Sequence, residues 1–151
     1  MDEPITTRTE AVAALQGDIG GLVRVAHQYG RDMANAFSPG LAPAGFAVLA
    51  AVYQLAPAPP AAIIAHTQMD KSVVSRQLRL LKTDGHLMTG PDPSDGRARL
   101  YSLAPATHTL LEHILALGKE RFGGIFAEWS DDDLIAFATY MRRLFISQRD
   151  R

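Results

Sequence analysis

Between Ser38 and Met69 the chain carries no Asp, Glu, Lys or Arg, and all ten charges of segment 38–103 lie between Asp70 and Arg99. So long a run of Ala, Val, Leu, Ile, Phe and Pro has to be buried, and its prolines decide how it is cut into elements. Pro39 and Gly40 break the chain, and Pro43 restarts it as a helix at a position where a missing N–H costs nothing. Phe46, Leu49, Val52 and Tyr53 give a short apolar helix ending near Leu55. Ala-Pro-Ala-Pro-Pro then forms a rigid turn, and a third helix from about Pro60 to His66 carries Ile63 and Ile64. These two helices form a scaffold against which a further element must pack.

That element is Asp70 to Leu87, DKSVVSRQLRLLKTDGHL. At 3.6 residues per turn Val74, Leu78 and Leu81 fall on one face, and Ser72, Ser75, Arg76 and Arg79 on the other. Asp70 is placed to cap the first free N–H groups, and Gly85 to end the helix in the left-handed conformation. With the Thr67-Gln68-Met69 turn before it, this reads as the second half of a helix-turn-helix. Short hydroxyls and, after them, guanidinium groups suit close approach to phosphates and bidentate hydrogen bonding to guanine. An ordinary solvated helix face would have the same residues, so the flanking segments must decide.

Leu87 and Met88 begin a strand, Gly90 to Ala98 is turn-rich, and Arg99 to Leu103 alternates as a returning strand, which together make a β-hairpin wing. At its tip the Asp95 carboxylate is spaced to brace the Arg97 guanidinium, and such an arginine can enter a minor groove. A solvated turn is the plain alternative. A long amphipathic helix from about Thr9 to Phe37 precedes the scaffold, with Leu15, Ile19, Leu22, Ala26, Tyr29 and Met33 at spacings of three and four. Pro105 opens another, expected to run to about Trp129 with a bend at Gly123-Gly124. Ser130, with Asp133 three residues on, caps a last helix through Leu134, Phe137, Met141 and Leu144. The apolar surface of these long helices exceeds what one small winged domain covers, and it predicts a symmetric dimer.

Charge supports a local rather than a general polyanion contact. Residues 1–37 carry three bases and five acids, 38–103 six and four, and 104–151 six and seven, so only the middle is basic. The absence of cysteine removes disulfides, thiolate metal sites and thiol redox sensing. No apolar run is long enough for a bilayer and the first ten residues lack signal-peptide features, so a cytoplasmic protein with no membrane partner is expected. The five histidines are scattered without metal spacing, and no Gly-rich phosphate loop follows a strand. No enzyme, metal or cofactor is therefore expected.

Asp70-Lys71-Ser72-Val73-Val74-Ser75-Arg76-Gln77-Leu78 continuing through Leu81 and Gly85, then Asp92-Pro93-Ser94-Asp95-Gly96-Arg97, and the Leu103-Ala104-Pro105-Ala106 exit together resemble the MarR family of winged-helix transcriptional regulators. Leu41 to Leu49 resembles the opening of that family's second helix. Ala42, Ala104, Thr107 and Gly96 depart from the residues usual in the family. The resemblance covers nearly the whole length. It implies a mainly α fold with a small β-hairpin wing, a winged helix-turn-helix flanked by long N- and C-terminal dimerisation helices. On this reading 1–37 is an N-terminal dimerisation helix, 38–103 the DNA-binding domain and 104–151 the C-terminal dimerisation helices.

The resemblance also implies function. The expected protein is a repressor that binds a pseudo-palindromic operator in double-stranded DNA as a homodimer, through Lys71, Ser72, Ser75, Arg76, Arg79, Asp95, Arg97 and Arg99. A small, aromatic or phenolic effector would release it. His27, Tyr29, Met33, Tyr53 and His113 are candidates to line the effector site, although each also fits an ordinary place in core or surface. Two alternatives stay open: a winged helix that contacts an acidic protein partner, and a regulator blind to ligands.

Overall fold

The N-terminal helix begins with a reciprocal cap. Thr7 Oγ1 accepts from the Glu10 N–H at 3.2 Å, and Glu10 Oε2 accepts from the Thr6 and Thr7 N–H groups at 3.0 Å each. The computed structural model describes residues 6–93 and 98–149. Their order is α1 (Arg8–Phe37), α2 (Pro43–Leu55), α3 (Pro60–Thr67), α4 (Lys71–Thr83), β1 (Leu87–Pro91), β2 (Arg99–Leu103), α5 (Pro105–Ile125) and α6 (Asp131–Arg149). The chain divides into two compact units, Met1–Ile114 and Leu115–Arg151.

The cap of α1 carries a pH dependence. Backbone hydrogen bonds from Thr6 and Thr7 hold the Glu10 carboxyl below the usual glutamate range. A carboxylate whose pKa is depressed on folding stabilises above its unfolded pKa, and that contribution is lost as pH falls through the folded one. Acidification below the usual glutamate range is therefore expected to fray the first turn of α1. The amides of Thr6, Thr7 and Glu10 should lose protection there, measured against their intrinsic exchange rates at each pH, and Glu10→Gln should flatten the dependence.

The core of the first unit is the charge-free stretch. Val48, Leu49, Ala51 and Val52 on α2 are fully buried, and α2 packs against α1, α3, α4 and β2. Only the end of α1 joins this core, through Met33, Ala34 and Phe37. The Phe37 ring meets that of Phe46 edge-on at 6.4 Å and the imidazole of His86 at 5.1 Å. Earlier in α1, Leu15, Ile19 and Leu22 are exposed.

The helix-turn-helix closes through Gln68, which takes the left-handed conformation at φ 53° and donates its N–H to the Ile64 carbonyl. Asp70 stands at the head of α4 as expected, but its side chain makes no cap hydrogen bond. That end of the helix is exposed, so water can satisfy its free N–H groups. The far end of α4 closes as expected. Gly85 sits at φ 78°, the His86 N–H donates to the Leu81 carbonyl and the Gly85 N–H to that of Lys82. This pair of bonds is the Schellman arrangement, which needs a residue at ease with positive φ.

The wing pairs β1 and β2 antiparallel in the register Leu87↔Leu103, Thr89↔Tyr101 and Pro91↔Arg99. Leu87 and Leu103 turn into the core. Ala58, in the proline-rich connection between α2 and α3, adds a third line of pairing. Its N–H donates to the Tyr101 carbonyl at 3.1 Å, and the Tyr101 N–H donates to its carbonyl at 2.8 Å. The rigid turn thus also anchors the returning strand. No helix of the described residues is long and apolar enough to cross a membrane.

In the second unit α5 ends at Ile125 rather than Trp129, just after the two glycines at which a bend was expected. Phe126 and Ala127 donate to the Gly123 and Gly124 carbonyls in tight turns. Ser130 then caps α6, accepting from the Asp133 N–H at 3.2 Å while its hydroxyl donates to Asp133 Oδ2 at 2.6 Å.

Candidate nucleic-acid interface

The interface is built on the division of α4 into two faces. Val74, Leu78 and Leu81 are at most 2% exposed and pack towards α2 and α3. Burial of three such side chains contributes roughly 2 kcal/mol each, enough to fix the rotation of the helix about its axis. The opposite face is thereby presented outward. Ser72, Ser75, Arg76 and Arg79 are exposed on the face the periodicity predicts, and Lys71 at the start of the helix is exposed as well.

The cationic side chains on this face have no partner among the described residues. Those of Lys71, Arg76, Arg79 and Lys82 make no hydrogen bond or ion pair with another described residue. Among the described residues no carboxylate holds them back from an anionic partner, and their desolvation on binding would break no contact with those residues. Arg99, at the start of β2 opposite Pro91, is likewise exposed and has no such partner among the described residues. Asp95 and Arg97, expected at the wing tip, lie outside the described residues.

Two features of the surface escape pattern reading. Val73, in the first turn of α4, is 37% exposed between Ser72 and the buried Val74, where a methyl group can meet the methyl of thymine. Its β-branched side chain reads as core in any count of apolar residues. The second is a link behind the helix. His86, directly after the Gly85 turn, packs on Phe37 of α1, and its Nδ1 lies 3.3 Å from Thr107 Oγ1 at the start of α5. Thr107, which departs from the residue usual in the family, is the buried polar partner that completes this contact.

The five effector candidates are scattered over α1, α2 and α5. Met33 is buried, Tyr29 and Tyr53 are partly buried, and His27 and His113 are exposed. No hydrogen bond or ring contact among the described residues joins one of them to another. Tyr53 instead faces His108, with ring centroids 5.0 Å apart, and His108 Nδ1 lies 4.0 Å from Glu112. Among the described residues no group of three or more His, Asp or Glu could hold a metal ion.

A profile of the MarR family matches residues 40–98, which hold α2, the helix-turn-helix and the first strand of the wing. No curated protein sequence matches the chain. Among solved structures, a probable transcriptional regulator from Pseudomonas aeruginosa is 30% identical, covering 86% of this chain and 98% of its own, with a TM-score of 0.63. A MarR family transcription regulator superposes with a TM-score of 0.81 at 17% identity, over 94% of this chain and 95% of its own. BpsR of Bordetella bronchiseptica, whose DNA binding is regulated by 6-hydroxynicotinic acid, is 23% identical over 83% of this chain and 91% of its own, with a TM-score of 0.62. A relative matched over nearly its whole length, a family profile lying on the helix-turn-helix and a shared fold lead to one conclusion: the chain belongs to the MarR family of winged-helix transcriptional regulators.

Proposed function

We propose that the protein is a cytosolic, homodimeric repressor that binds a pseudo-palindromic operator in duplex DNA. The observation that carries this reading is the outward face of α4, where Lys71, Ser72, Ser75, Arg76 and Arg79 stand exposed with their cations unpaired among the described residues. Inserted in a major groove, this face offers Arg76 and Arg79 to guanine edges and Lys71 with the two serines to phosphates. Asp95, Arg97 and Arg99 serve the wing, with Arg97 in the minor groove as a sequence-tolerant grip.

The dimer is supported by apolar side chains that each unit leaves uncovered. Val12, Leu15, Ile19 and Leu22 on α1 and Leu134, Leu144 and Ile146 on α6 are between 37% and 62% exposed. A second copy would cover them, so residues 1–37 and 104–151 act in dimerisation and 38–103 in DNA binding. Two-fold symmetry then sets the half-sites about 34–36 Å apart, one turn of the duplex.

An aromatic acid is the effector class we assign, by analogy with 6-hydroxynicotinic acid acting on BpsR. His27, Tyr29, Met33, Tyr53 and His113 are the candidates to meet it. A thermal-shift screen with aromatic acids, and then release of bound DNA, tests this assignment. No shift and no release would leave a ligand-blind regulator.

The central test is binding to duplex from the gene's own promoter region, compared with random duplex at moderate salt. A preference of about a thousandfold is expected, with log affinity falling steeply and linearly against log salt as phosphate counterions are released. Equal affinity for both duplexes would overturn the reading. A shallow salt slope with an acidic protein as the preferred partner would replace it by a protein-contact module.

A further inference from the structure

The first turn of α4 presents one apolar side chain that neither the core nor the cationic face uses. Val73 is 37% exposed, while Val74 beside it is fully buried. Arg76, three residues on, is exposed with no partner among the described residues. Gln77, four residues on, turns back towards α2, its Oε1 lying 3.0 Å from where a Cβ on Gly45 would stand. Val73 therefore borders the reading face beside Arg76. A valine in a helix keeps essentially one rotamer, so its two methyl groups meet a partner already oriented.

The chemistry of the partner follows from this place. Val73 offers no hydrogen bond to a phosphate oxygen, and the exposed carboxylate of Asp70, three residues before it, repels one. In a helix-turn-helix the N-terminal residues of the second helix meet base edges in the major groove. There the 5-methyl group of a pyrimidine is the apolar feature on offer. Side chains three apart on a helix stand about 5–6 Å from one another and stacked base pairs about 3.4 Å, so a methyl met by Val73 belongs to a base pair one or two steps from the guanine met by Arg76. We propose that Val73 reads the 5-methyl group of a pyrimidine beside that guanine, and that it accepts thymine and 5-methylcytosine alike, since both present the same methyl at the same place. Methylation of a cytosine at this position then raises affinity for the DNA. The inference rests on the DNA-binding reading and adds to it the class of base that this position of the operator must hold.

Duplexes that differ by a single methyl group test this with the full-length protein. Each thymine of the operator is replaced in turn by deoxyuridine, which lacks only the 5-methyl. At one position of a half-site a loss of about fourfold in affinity is expected, as burial of one methyl group contributes. At that same position 5-methylcytosine should bind about fourfold tighter than cytosine. Val73→Ala should abolish both ratios without lowering the melting temperature, since alanine is the better helix former, and Val73→Ile should keep them. Leu80→Ala, at a residue 44% exposed two turns further along the same edge, should keep them as well. If no deoxyuridine duplex loses affinity, or if the Val73→Ala protein retains both ratios, the proposal is overturned while the preference for operator over random duplex stands. If that preference is itself missing, the DNA-binding reading fails and the proposal with it. A thymine ratio without a 5-methylcytosine ratio would overturn the equivalence of the two bases.

Discussion

Leu78→Ala should lower the free energy of unfolding by about 2–5 kcal/mol, the range for leucine truncation in a close-packed core. Leu78 is 2% exposed and lies on the face of α4 that packs towards α2 and α3. The truncated side chain leaves a void that the flanking Val74 and Leu81, both fully buried, can fill only by shifting the helix. Against a typical stability of about 5–15 kcal/mol the loss is large, and it should appear as a lower urea midpoint with an unchanged slope. Leu80→Ala on the same helix is the control. Leu80 is 44% exposed, and its truncation should move stability by no more than about 0.5 kcal/mol. Equal effects of the two substitutions would contradict the burial of the inner face. DNA affinity of the Leu78→Ala protein should fall only in proportion to its folded fraction when measured below the midpoint.

Arg76→Ala and Arg79→Ala should show the converse. Each is expected to leave the melting temperature unchanged, since neither guanidinium has a partner among the described residues and alanine is at least as good a helix former. Each should weaken operator binding by about 1–3 kcal/mol, roughly 5- to 150-fold, and relax preference at particular base pairs. Arg97→Ala should weaken all duplexes alike, because a minor-groove grip carries little sequence information. Competition with operators changed one base pair at a time separates the two behaviours. Uniform losses for all three arginines would contradict the division between reading and grip. A fall in melting temperature for Arg76→Ala would show instead that its side chain supports the fold.

Much of the fold was legible in sequence because helical periodicity constrains burial directly. The spacing of Val74, Leu78 and Leu81 identifies the inner face of α4, and the charge-free stretch from Ser38 to Met69 supplies the core behind it. Gly85 marks the end of α4 because few residues take positive φ without cost. The same reasoning overran the end of α5. Phe126 and Trp129 continue the apolar pattern because they join an aromatic cluster, and periodicity does not distinguish a helix from a turn that packs on the same neighbours. Asp70 is a residue type that favours the cap position, yet its carboxylate does not fold back onto the helix.

The sequence by itself determined which elements form and which face of each is apolar, because dihedral preference and side-chain polarity act within a few residues. Only the tertiary structure decided that Ala58 pairs with Tyr101 and that His86 stands between Phe37 and Thr107. Each of these joins residues whose own preferences are indifferent to the partner. Their meeting comes from the packing of whole elements, which the burial of a common core fixes and no local pattern records.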